Sequence, residues 1–350
     1  MAETLETPSI LLDAWDAYGS RDAIVKTDEV SADVSTNQVY RMQFESRHDV
    51  ISKISGYGSY VHFRQDHYRI HEWIHRLRGT RYASFLAKVL LKDDTVFTYR
   101  DGDRWVVFYE KTEFYDFLPP KLTDEDIDSL GREVGLFHRA CAEVTDRVRP
   151  TWQTVGSDVA TLYDVLGNKE WRREHHFGDR AQDFLRAHCD AFLHNSDALG
   201  YHEWLKIPIL IDWNIGNFSV GYDHTGFKFF SRWDYDWFRI EPRMLDFYFC
   251  ARVVREEGDQ NTFSYRPDPL LEPRFIRFLR AYHEVHRLTR DEVLFLKEAY
   301  RFFILNYVIR VGEHFFRPEI CERLQTEAID EYLPALEPVD LEPLCEALGL

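Results

Sequence analysis

Long apolar runs, clustered basic residues and paired cysteines are all missing from this 350-residue sequence. Nowhere do about 18 uncharged apolar residues follow one another, and the N-terminus has neither a basic region nor a long apolar core. We therefore expect no membrane span and no export signal. The five cysteines are dispersed without metal-binding or disulfide spacing, which is typical of cytoplasmic thiols. The sequence indicates a cytoplasmic protein.

Basic residues are also fewer than acidic residues. The chain has 43 basic and 60 acidic residues, a formal charge of −17. Binding to a nucleic acid backbone relies on clustered Lys and Arg, so nucleic acid is not an expected partner. The acidity favours a cationic small-molecule substrate, although solubility alone would also explain it. With 45% hydrophobic residues, the chain can bury a core large enough to divide into two units.

The first 110 residues have the pattern of a small antiparallel sheet with two helices. Alternating apolar residues predict strands, and a helical period that includes Phe63, His67 and Ile70 predicts the second helix. The pair Asp101–Gly102 predicts a hairpin turn. We expect a nucleotide-binding unit over residues 1–110, with helices at 8–18 and 60–78 and strands at 22–30, 37–46, 48–55, 88–102 and 104–112.

Residues 111–350 are dominated by helical patterns, so the fold class is α+β. Thr123, followed by Glu125 and Asp126, predicts the start of a helix that runs to about Val144. Residues 146–175 look irregular, and two strands interrupt the helices at 208–234. The remaining predicted helices cover 179–194, 245–256, 271–287, 290–311 and 318–333.

The stretch "IPILIDWNIGNFSVGYD" (207–223) places polar side chains inside an apolar strand–turn–strand pattern. Phosphoryl transfer to a hydroxyl needs a carboxylate that orients the hydroxyl and accepts its proton, and an amide oxygen that binds Mg²⁺. Asp212 and Asn217 offer these two groups. A second carboxylate must join the metal to the nucleotide, and Asp234 follows the next strand. Alternatively, an Asp and an Asn in a turn simply form Asx turns.

These segments resemble those of the aminoglycoside phosphotransferase and choline kinase-like family. Its catalytic loop reads His-Gly-Asp-x-x-x-x-Asn, and "LIDWNIGN" matches the Asp, the last Gly and the Asn. Its metal segment matches "WDYDWFRIEPRMLDF", in which Asp246 follows Asp234 by 12 residues. The family His and first Gly are Leu210 and Ile211 here. The resemblance, over residues 25–260, implies a protein kinase-like two-lobe fold and transfer of phosphate from ATP with Mg²⁺ to a small molecule.

The resemblance also implies nucleotide contacts in the first unit. Lys53, in the third strand, matches the lysine that holds the α- and β-phosphates. Its ion-pair partner on the next helix would be Glu72 or, alternatively, Asp66. The purine would contact the backbone of Phe108, Tyr109, Glu110 and Lys111.

Residues 30–37, where protein kinases have a glycine-rich loop over the phosphates, contain no glycine. Backbone N–H groups and the hydroxyls of Ser35 or Thr36 are the expected substitutes. His138, which ends a Leu-Phe-His motif, is expected to be structural. Asp246 is expected to brace the catalytic loop by accepting hydrogen bonds.

Two other functions are compatible with these residues. A nucleotide-binding module without transfer activity would explain the missing histidine and the missing glycines. A glycoside hydrolase would use two carboxylates, Asp212 with either Asp234 or Glu241.

Overall fold

The computed structural model describes residues 7–32, 35–56, 58–259 and 264–350. The elements of its N-terminal part are α1 (Ser9–Tyr18), β1 (Ile24–Glu29), β2 (Gln38–Phe44), β3 (Asp49–Ser55), α2 (Tyr60–Arg76), β4 (Leu91–Lys92), β5 (Thr95–Val96), β6 (Thr98–Asp101) and β7 (Arg104–Glu110). Five of these strands form an antiparallel sheet with the order β1-β2-β3-β7-β6.

The two faces of this sheet are covered by different elements. On one face, Trp15 of α1 packs with Phe44 and Phe108 in a small core of its own. On the other, Phe63 and Ile70 of α2 join the large core that continues into the rest of the chain. This division follows from the alternation along β2 and β3, because successive strand residues face opposite sides of a sheet.

Most predicted elements of the first unit are confirmed, with one error. The hairpin at Asp101–Gly102 forms, and Asp101 pairs with Arg104. However, residues 88–102 are not one strand. Asp93 and Asp94 both adopt positive φ angles, 50° and 58°, and reverse the chain between β4 and β5. Asp tolerates this left-handed region better than most residues, which makes a turn possible there.

The rest of the chain is mainly helical, as predicted, and none of the helices in the described part is both long and apolar enough to cross a bilayer. Its elements are α3 (Asp124–Ala142), α4 (Val155–Leu166), α5 (Lys169–Glu174), α6 (Asp179–Ala198), β8 (Ile207–Ile209), β9 (Phe218–Asp223), β10 (Gly226–Arg232), β11 (Arg239–Glu241), α7 (Phe247–Val254), α8 (Pro273–Val285), α9 (Arg290–Leu294), α10 (Leu296–Phe303), α11 (Gly312–Phe315), α12 (Pro318–Glu327), α13 (Leu333–Leu336) and α14 (Glu342–Leu348).

Three predictions for this part need correction. Residues 146–175, expected to be irregular, contain α4 and α5. The expected helix 290–311 is divided into α9, α10 and a π-helical segment, Ile304–Arg310, and the expected helix 318–333 passes through a second π-helical segment, Ala328–Tyr332. The helix α14 was not predicted.

Two short antiparallel pairs position the polar residues singled out in the sequence. β8 pairs with β11, and β9 pairs with β10 so that Phe218 faces Arg232. The loop between β8 and β9 carries Asp212 and ends at Asn217, one residue before Phe218. Asp234 follows Arg232 by two residues. The hairpin register therefore brings Asn217 and Asp234 to the same end of the β9–β10 ribbon.

Candidate active site

A buried aspartate holds the backbone of the loop that carries Asp212. Asp246 Oδ1 accepts hydrogen bonds from the N–H groups of Leu210 (3.2 Å) and Ile211 (2.6 Å). Its other oxygen lies 3.0 Å from His138 Nε2, and His138 Nδ1 lies 2.9 Å from the hydroxyl of Tyr282. Asp246 and His138 are both fully buried. The expected bracing role of Asp246 and the structural role of His138 are confirmed.

The residue before Asp212 has an unusual backbone. Ile211 adopts φ = 60°, the left-handed region that β-branched residues rarely occupy. The resembled family has glycine at this place, where the conformation carries no steric penalty. Although isoleucine replaces the family glycine here, the loop backbone still adopts the left-handed conformation. Backbone strain of this kind is typical of functional sites.

Asp212 is half-buried, and a hydrogen bond from the backbone orients one of its carboxylate oxygens. Its Oδ1 accepts a hydrogen bond from Asn214 N–H at 3.0 Å, an Asx turn of the kind the alternative reading predicted. Burial raises its carboxyl pKa to about 6, with a further contribution from nearby Asp234 and opposing effects of Arg232 and Arg252. At neutral pH, Asp212 is then mostly ionised and has a pKa well suited to a general base.

Arg232, which the sequence analysis did not single out, joins both ends of the loop. Its Nη2 donates to the carbonyl oxygen of Asp212 (2.6 Å) and its Nη1 to that of Asn217 (3.0 Å). The guanidinium is fully buried, and its Nε has no partner among the described residues. A planar fork with several donors suits this double contact. Arg232 is a positioning residue whose place on β10 gave no sequence signal.

Asn217 and Asp234 line one cavity. The backbone carbonyl of Asn217 accepts a hydrogen bond from Trp233 N–H at 3.0 Å. Asp234 has φ = 66°, and its side chain is 38% exposed. Burial would raise its pKa, but Lys53 and Arg232 outweigh this effect and lower it. An ionised carboxylate and a carboxamide on residues that line the same cavity are a donor set suited to Mg²⁺.

These residues do not form a closed metal cage. Among the described residues, no group of three or more His, Cys, Asp or Glu side chains could hold a metal ion. A cation at Asn217 and Asp234 would complete its coordination with water and with a ligand such as phosphate. Mg²⁺ ordinarily binds in this manner, through one or two protein oxygens.

Lys53 lies on β3 and points at the same acidic segment. Its ammonium is 3.1 Å from Asp234 Oδ1 and also forms an ion pair with Asp236, whose other oxygen accepts from Asn37 Nδ2 at 2.7 Å. Burial would lower the pKa of Lys53, but Asp234 and Asp236 outweigh burial and raise it. The lysine is therefore a buried cation in the wall of the cavity that Asn217 and Asp234 also line.

The expected pairing of Lys53 with Glu72 is wrong. Glu72 instead accepts from Arg149 Nε at 3.2 Å, on a different surface of α2. His67 lies on the side of α2 that faces the sheet, and its Nε2 is 2.6 Å from the hydroxyl of Tyr109. At 100° per residue, Glu72 lies about 140° around the helix from His67. The alternative partner, Asp66, faces a second cavity.

The cavity that contains Lys53, Asn217 and Asp234 has a volume of about 500 Å³. Pockets of roughly 300–1,000 Å³ with mostly apolar walls and a few polar groups typically bind cofactors. Its apolar wall comes from both parts of the chain, so a planar ring could lie between the sheet and the C-terminal part. The apolar lining residues are Val30, Ala32, Val39, Ile51, Ala87, Phe114, Phe117 and Trp233.

Three of the four residues expected to contact a purine line this cavity. They are Tyr109, Glu110 and Lys111. Phe108 does not, because its side chain packs into the small core against α1 and its carbonyl oxygen accepts from Leu90 N–H at 2.8 Å. The alternation along β7 explains the difference, since Phe108 faces away from the side on which Tyr109 lies.

The glycine-free loop contacts the C-terminal part of the chain. Thr36 donates its N–H to the carbonyl of Phe315 (3.3 Å) and its hydroxyl to that of His314, and Ser35 forms a bridge with Phe316. The Thr36 hydroxyl is therefore not directed at a phosphate as expected, and Ser35 Oγ accepts from Asn37 N–H. Asp33 and Val34, in the same loop, lie outside the described residues.

Glu241, the alternative acid of the hydrolase reading, has a structural role. It is fully buried and accepts from Tyr201 Oη (2.6 Å) and Val155 N–H (2.9 Å). A carboxylate used in this way is not open to a substrate, so the pair of Asp212 with Glu241 is excluded.

No family model matches the sequence, and no curated protein matches it in sequence. Solved structures do match. Amicoumacin kinase hAmiN, in complex with AMP-PNP, Ca²⁺ and Ami, is 14% identical, with a TM-score of 0.58 over 91% of each chain. A microcompartment-associated aminopropanol kinase is 15% identical, with a TM-score of 0.60 over 93% of this chain and 98% of that one. ADP-bound aminoglycoside phosphotransferase APH(2'')-Ib is 11% identical, with a TM-score of 0.55 over the same shares.

This chain has the two-lobe fold of the small-molecule kinases. The resemblance inferred from "LIDWNIGN" and "WDYDWF" is thereby confirmed at the level of the fold. At such low identities the structural similarity establishes the fold but not the reaction or the substrate, because these depend on the residues of the site itself.

Proposed function

We propose that the protein is an ATP- and Mg²⁺-dependent phosphotransferase that acts on a hydroxyl group of a small molecule. One observation carries the proposal: Asn217, Asp234 and Lys53 meet in one cavity, at the end of the loop on which Asp212 lies. Phosphoryl transfer requires this combination of cation, metal ligands and base at one place.

The nucleotide would occupy the 500 Å³ cavity. Its purine would lie among the apolar residues near Tyr109, Glu110 and Lys111. Lys53 would hold phosphate oxygens, since it lines the cavity and its ammonium is fixed by Asp234 and Asp236. The solved structures of similar fold that contain AMP-PNP or ADP support a nucleotide as the ligand.

Asn217 and Asp234 would hold Mg²⁺. The bound ion would neutralise charge on the phosphates. The chain contributes the oxygen ligands and fixes them: Arg232 and Trp233 hold the backbone of Asn217, and Asp246 holds the loop before Asp212.

Asp212 would orient the acceptor hydroxyl and accept its proton. Its carboxylate is oriented by Asn214 N–H, and the carbonyl oxygen of the same residue is held by Arg232. Positioning of this kind lowers the barrier because the reactants need not search for the reactive arrangement.

The acceptor would be a small polyfunctional molecule. The structures of similar fold are named as kinases of amicoumacin, aminopropanol and aminoglycosides. The charge of −17 favours a cationic acceptor by attraction at a distance. A cytoplasmic location and a boundary between units at residues 110 and 111 remain predictions.

The proposal is tested by ATP consumption in the presence of Mg²⁺ over a panel of aminoglycosides, choline, ethanolamine, homoserine and hexosamines. We expect Asp212→Asn to lower kcat by about 10²–10⁴-fold, because it removes the base and keeps the shape. Asp223→Asn is the matched control: Asp223 Oδ1 also accepts from the N–H two residues on, but in an exposed turn.

Equal turnover by wild type and Asp212→Asn would contradict the proposal. Nucleotide binding by calorimetry without transfer to any acceptor would instead identify a binding module, which the strained Ile211 and the absent family histidine would then explain.

A further inference from the structure

A groove lies along the outer side of α2. It has a volume of about 570 Å³, and it is lined by residues 60–72 of α2 on one side and by Arg149 and Trp152 on the other. No described residue lines both this groove and the proposed nucleotide cavity. The groove is therefore separate from the groups that would perform phosphoryl transfer.

Two hydrogen bonds fix the second wall of the groove against α2. Trp152 N–H donates to Gln65 Oε1 at 3.2 Å, and Arg149 Nε donates to Glu72 Oε1 at 3.2 Å. The segment 149–152 is thus held in place before anything binds. A partner that docks here need not order it first, which lowers the entropic cost of binding.

Large apolar and aromatic side chains of the groove face solvent. Trp152 is 71% exposed and Val61 is 55% exposed. Both line the groove together with Tyr60 and Tyr68. Trp, Tyr and Arg are the residue types that most often carry the binding energy of protein–protein interfaces. An exposed Trp on a fixed segment, beside two Tyr, is therefore typical of a docking surface.

The groove is basic although the chain as a whole is acidic. Its charged side chains are Arg64, Arg69, Arg149 and Glu72, three positive charges against one negative. Arg69 and Arg149 share Glu72, at 3.8 Å and 3.2 Å. Burial lowers the pKa of His71, the other ionisable lining group apart from the tyrosines, so it is neutral at pH 7.5. An excess of positive charge is left in the groove.

This excess charge is accessible to a partner. Arg64 is exposed, and among the described residues no carboxylate lies within ion-pair distance of it. Its guanidinium lies 5.5 Å from the centre of the Tyr68 ring. The side chain of Arg149 is 74% exposed. Carboxylates from outside the chain can therefore reach both arginines, and a guanidinium binds a carboxylate through two parallel hydrogen bonds.

We propose that this groove is a docking site for an acidic segment of a partner protein, with carboxylates on Arg64 and Arg149 and an apolar side chain against Trp152. At physiological salt, exposed charges more than about 8 Å apart are largely screened, so the charge of the groove itself outweighs that of the remaining surface. The docking site goes beyond the proposed transfer reaction, and it is tested by binding alone.

The same charges disfavour two other occupants. Two copies of the chain that met through this groove would bring like charges together. A nucleic acid backbone needs a longer array of basic residues than these three arginines, and it would extend over a chain of charge −17.

The test is selection from a random 12-residue peptide library displayed on phage, against immobilised wild-type protein, followed by calorimetry with the selected peptides. We expect these peptides to contain at least two Asp or Glu and one aromatic residue. Arg64→Glu should lower their affinity about tenfold or more, because it replaces an attraction by a repulsion. Arg180→Glu is the matched control: it makes the same charge change at an exposed residue in the first turn of α6 and should leave the affinity unchanged.

A second variant tests the apolar contact and guards against a folding failure of the first. Trp152→Ser removes the exposed ring, keeps the N–H that donates to Gln65, and should also lower the affinity about tenfold or more. Circular dichroism checks that both variants fold. The proposal is overturned if no peptide is selected, if the selected peptides are not acidic, or if the folded variants bind them as the wild type does. Binding of single-stranded oligothymidylate, or self-association of the protein, that Arg64→Glu abolishes would also overturn it.

Discussion

Three local features hold Asp212 and the residue before it in place. The preceding residue, Ile211, is held in a left-handed conformation by hydrogen bonds from the loop N–H groups to Asp246. The carbonyl of Asp212 is bound by Arg232, and its carboxylate by Asn214 N–H. The loop is thus held at Ile211, at Asp212 and at Asn217. The surrounding structure, rather than the loop's own preference, determines its shape.

The raised pKa of Asp212 predicts how activity depends on pH. The carboxyl must be ionised to accept a proton, so kcat/KM should rise with pH through an acid limb at about 6 and level off above it. Initial rates from pH 5 to 8, at saturating Mg²⁺, measure this limb. A rate that stays flat across this range would contradict the assignment of Asp212 as the base.

Acid unfolding is a separate effect, and its sign can be stated for this group. The folded pKa of Asp212, about 6, lies above the ordinary value of 3.8. The folded state therefore binds more protons than the unfolded state between these values, and the contribution of Asp212 to stability falls as pH rises through them. Circular dichroism at each pH separates the acid limb from unfolding caused by other groups.

At the scale of single residues, order and spacing in the sequence predicted the polar residues of the loop and strand ends. The partners of Lys53 were not predicted, because Asp234 and Asp236 lie in the C-terminal part and not on α2. The exclusion of Glu72 could have been predicted, because the apolar period through Phe63, His67 and Ile70 defines the side of α2 that faces the sheet. Arg232 left no sequence signal, since its role depends on contacts with two backbone carbonyls that only the fold brings together.

At the scale of elements, the site depends on a close contact between two helices. Gly131 of α3 packs so near α8 that a Cβ atom there would lie 2.5 Å from the carbonyl oxygen of Phe278. The same helix carries His138, which contacts Asp246 and, on α8, Tyr282. The absence of a side chain at Gly131 lets the two helices approach closely enough to enclose this buried network.

Gly131→Ala should therefore lower the free energy of unfolding by about 1–3 kcal/mol, because the backbone atoms it meets must shift. Gly156→Ala is the matched control in α4, where a Cβ atom would meet nothing within 4 Å. It should raise the free energy of unfolding by about 0.4–1 kcal/mol. Urea denaturation measures both. Equal effects of the two substitutions would show that the seam between α3 and α8 is not tight.

The limits of prediction at this scale have physical causes. The strands and helices of the first unit follow clear periods of 2 and 3.6 residues. In residues 146–175, Val155, Val159, Leu162 and Leu166 also have a helical period, and all four are buried in α4. Gly156 and Gly167 made this helical period harder to recognise, because glycine is typical of turns and loops. The reversal at Asp93 and Asp94 depends on two consecutive left-handed residues, which an alternating pattern does not reveal.

At the scale of the whole molecule, the site is assembled from both parts of the chain. Lys53 of the sheet reaches Asp234 and Asp236 of the C-terminal part. Thr36, in the glycine-free loop of the N-terminal part, donates a hydrogen bond to Phe315 of the C-terminal part. The fold class could be predicted from the sequence because these distant segments each carry a recognisable pattern. The contacts between them, and the groove along α2, became apparent only from the structure.

The central claim is that Asn217 and Asp234 together hold a divalent ion beside a nucleotide, and the most direct measurement is Mn²⁺ binding by electron paramagnetic resonance with AMP-PNP present. We expect one Mn²⁺ per wild-type chain, an affinity about tenfold or more lower in both Asn217→Leu and Asp234→Asn, and no change in Asp223→Asn. Wild-type affinity in both site variants would contradict the claim.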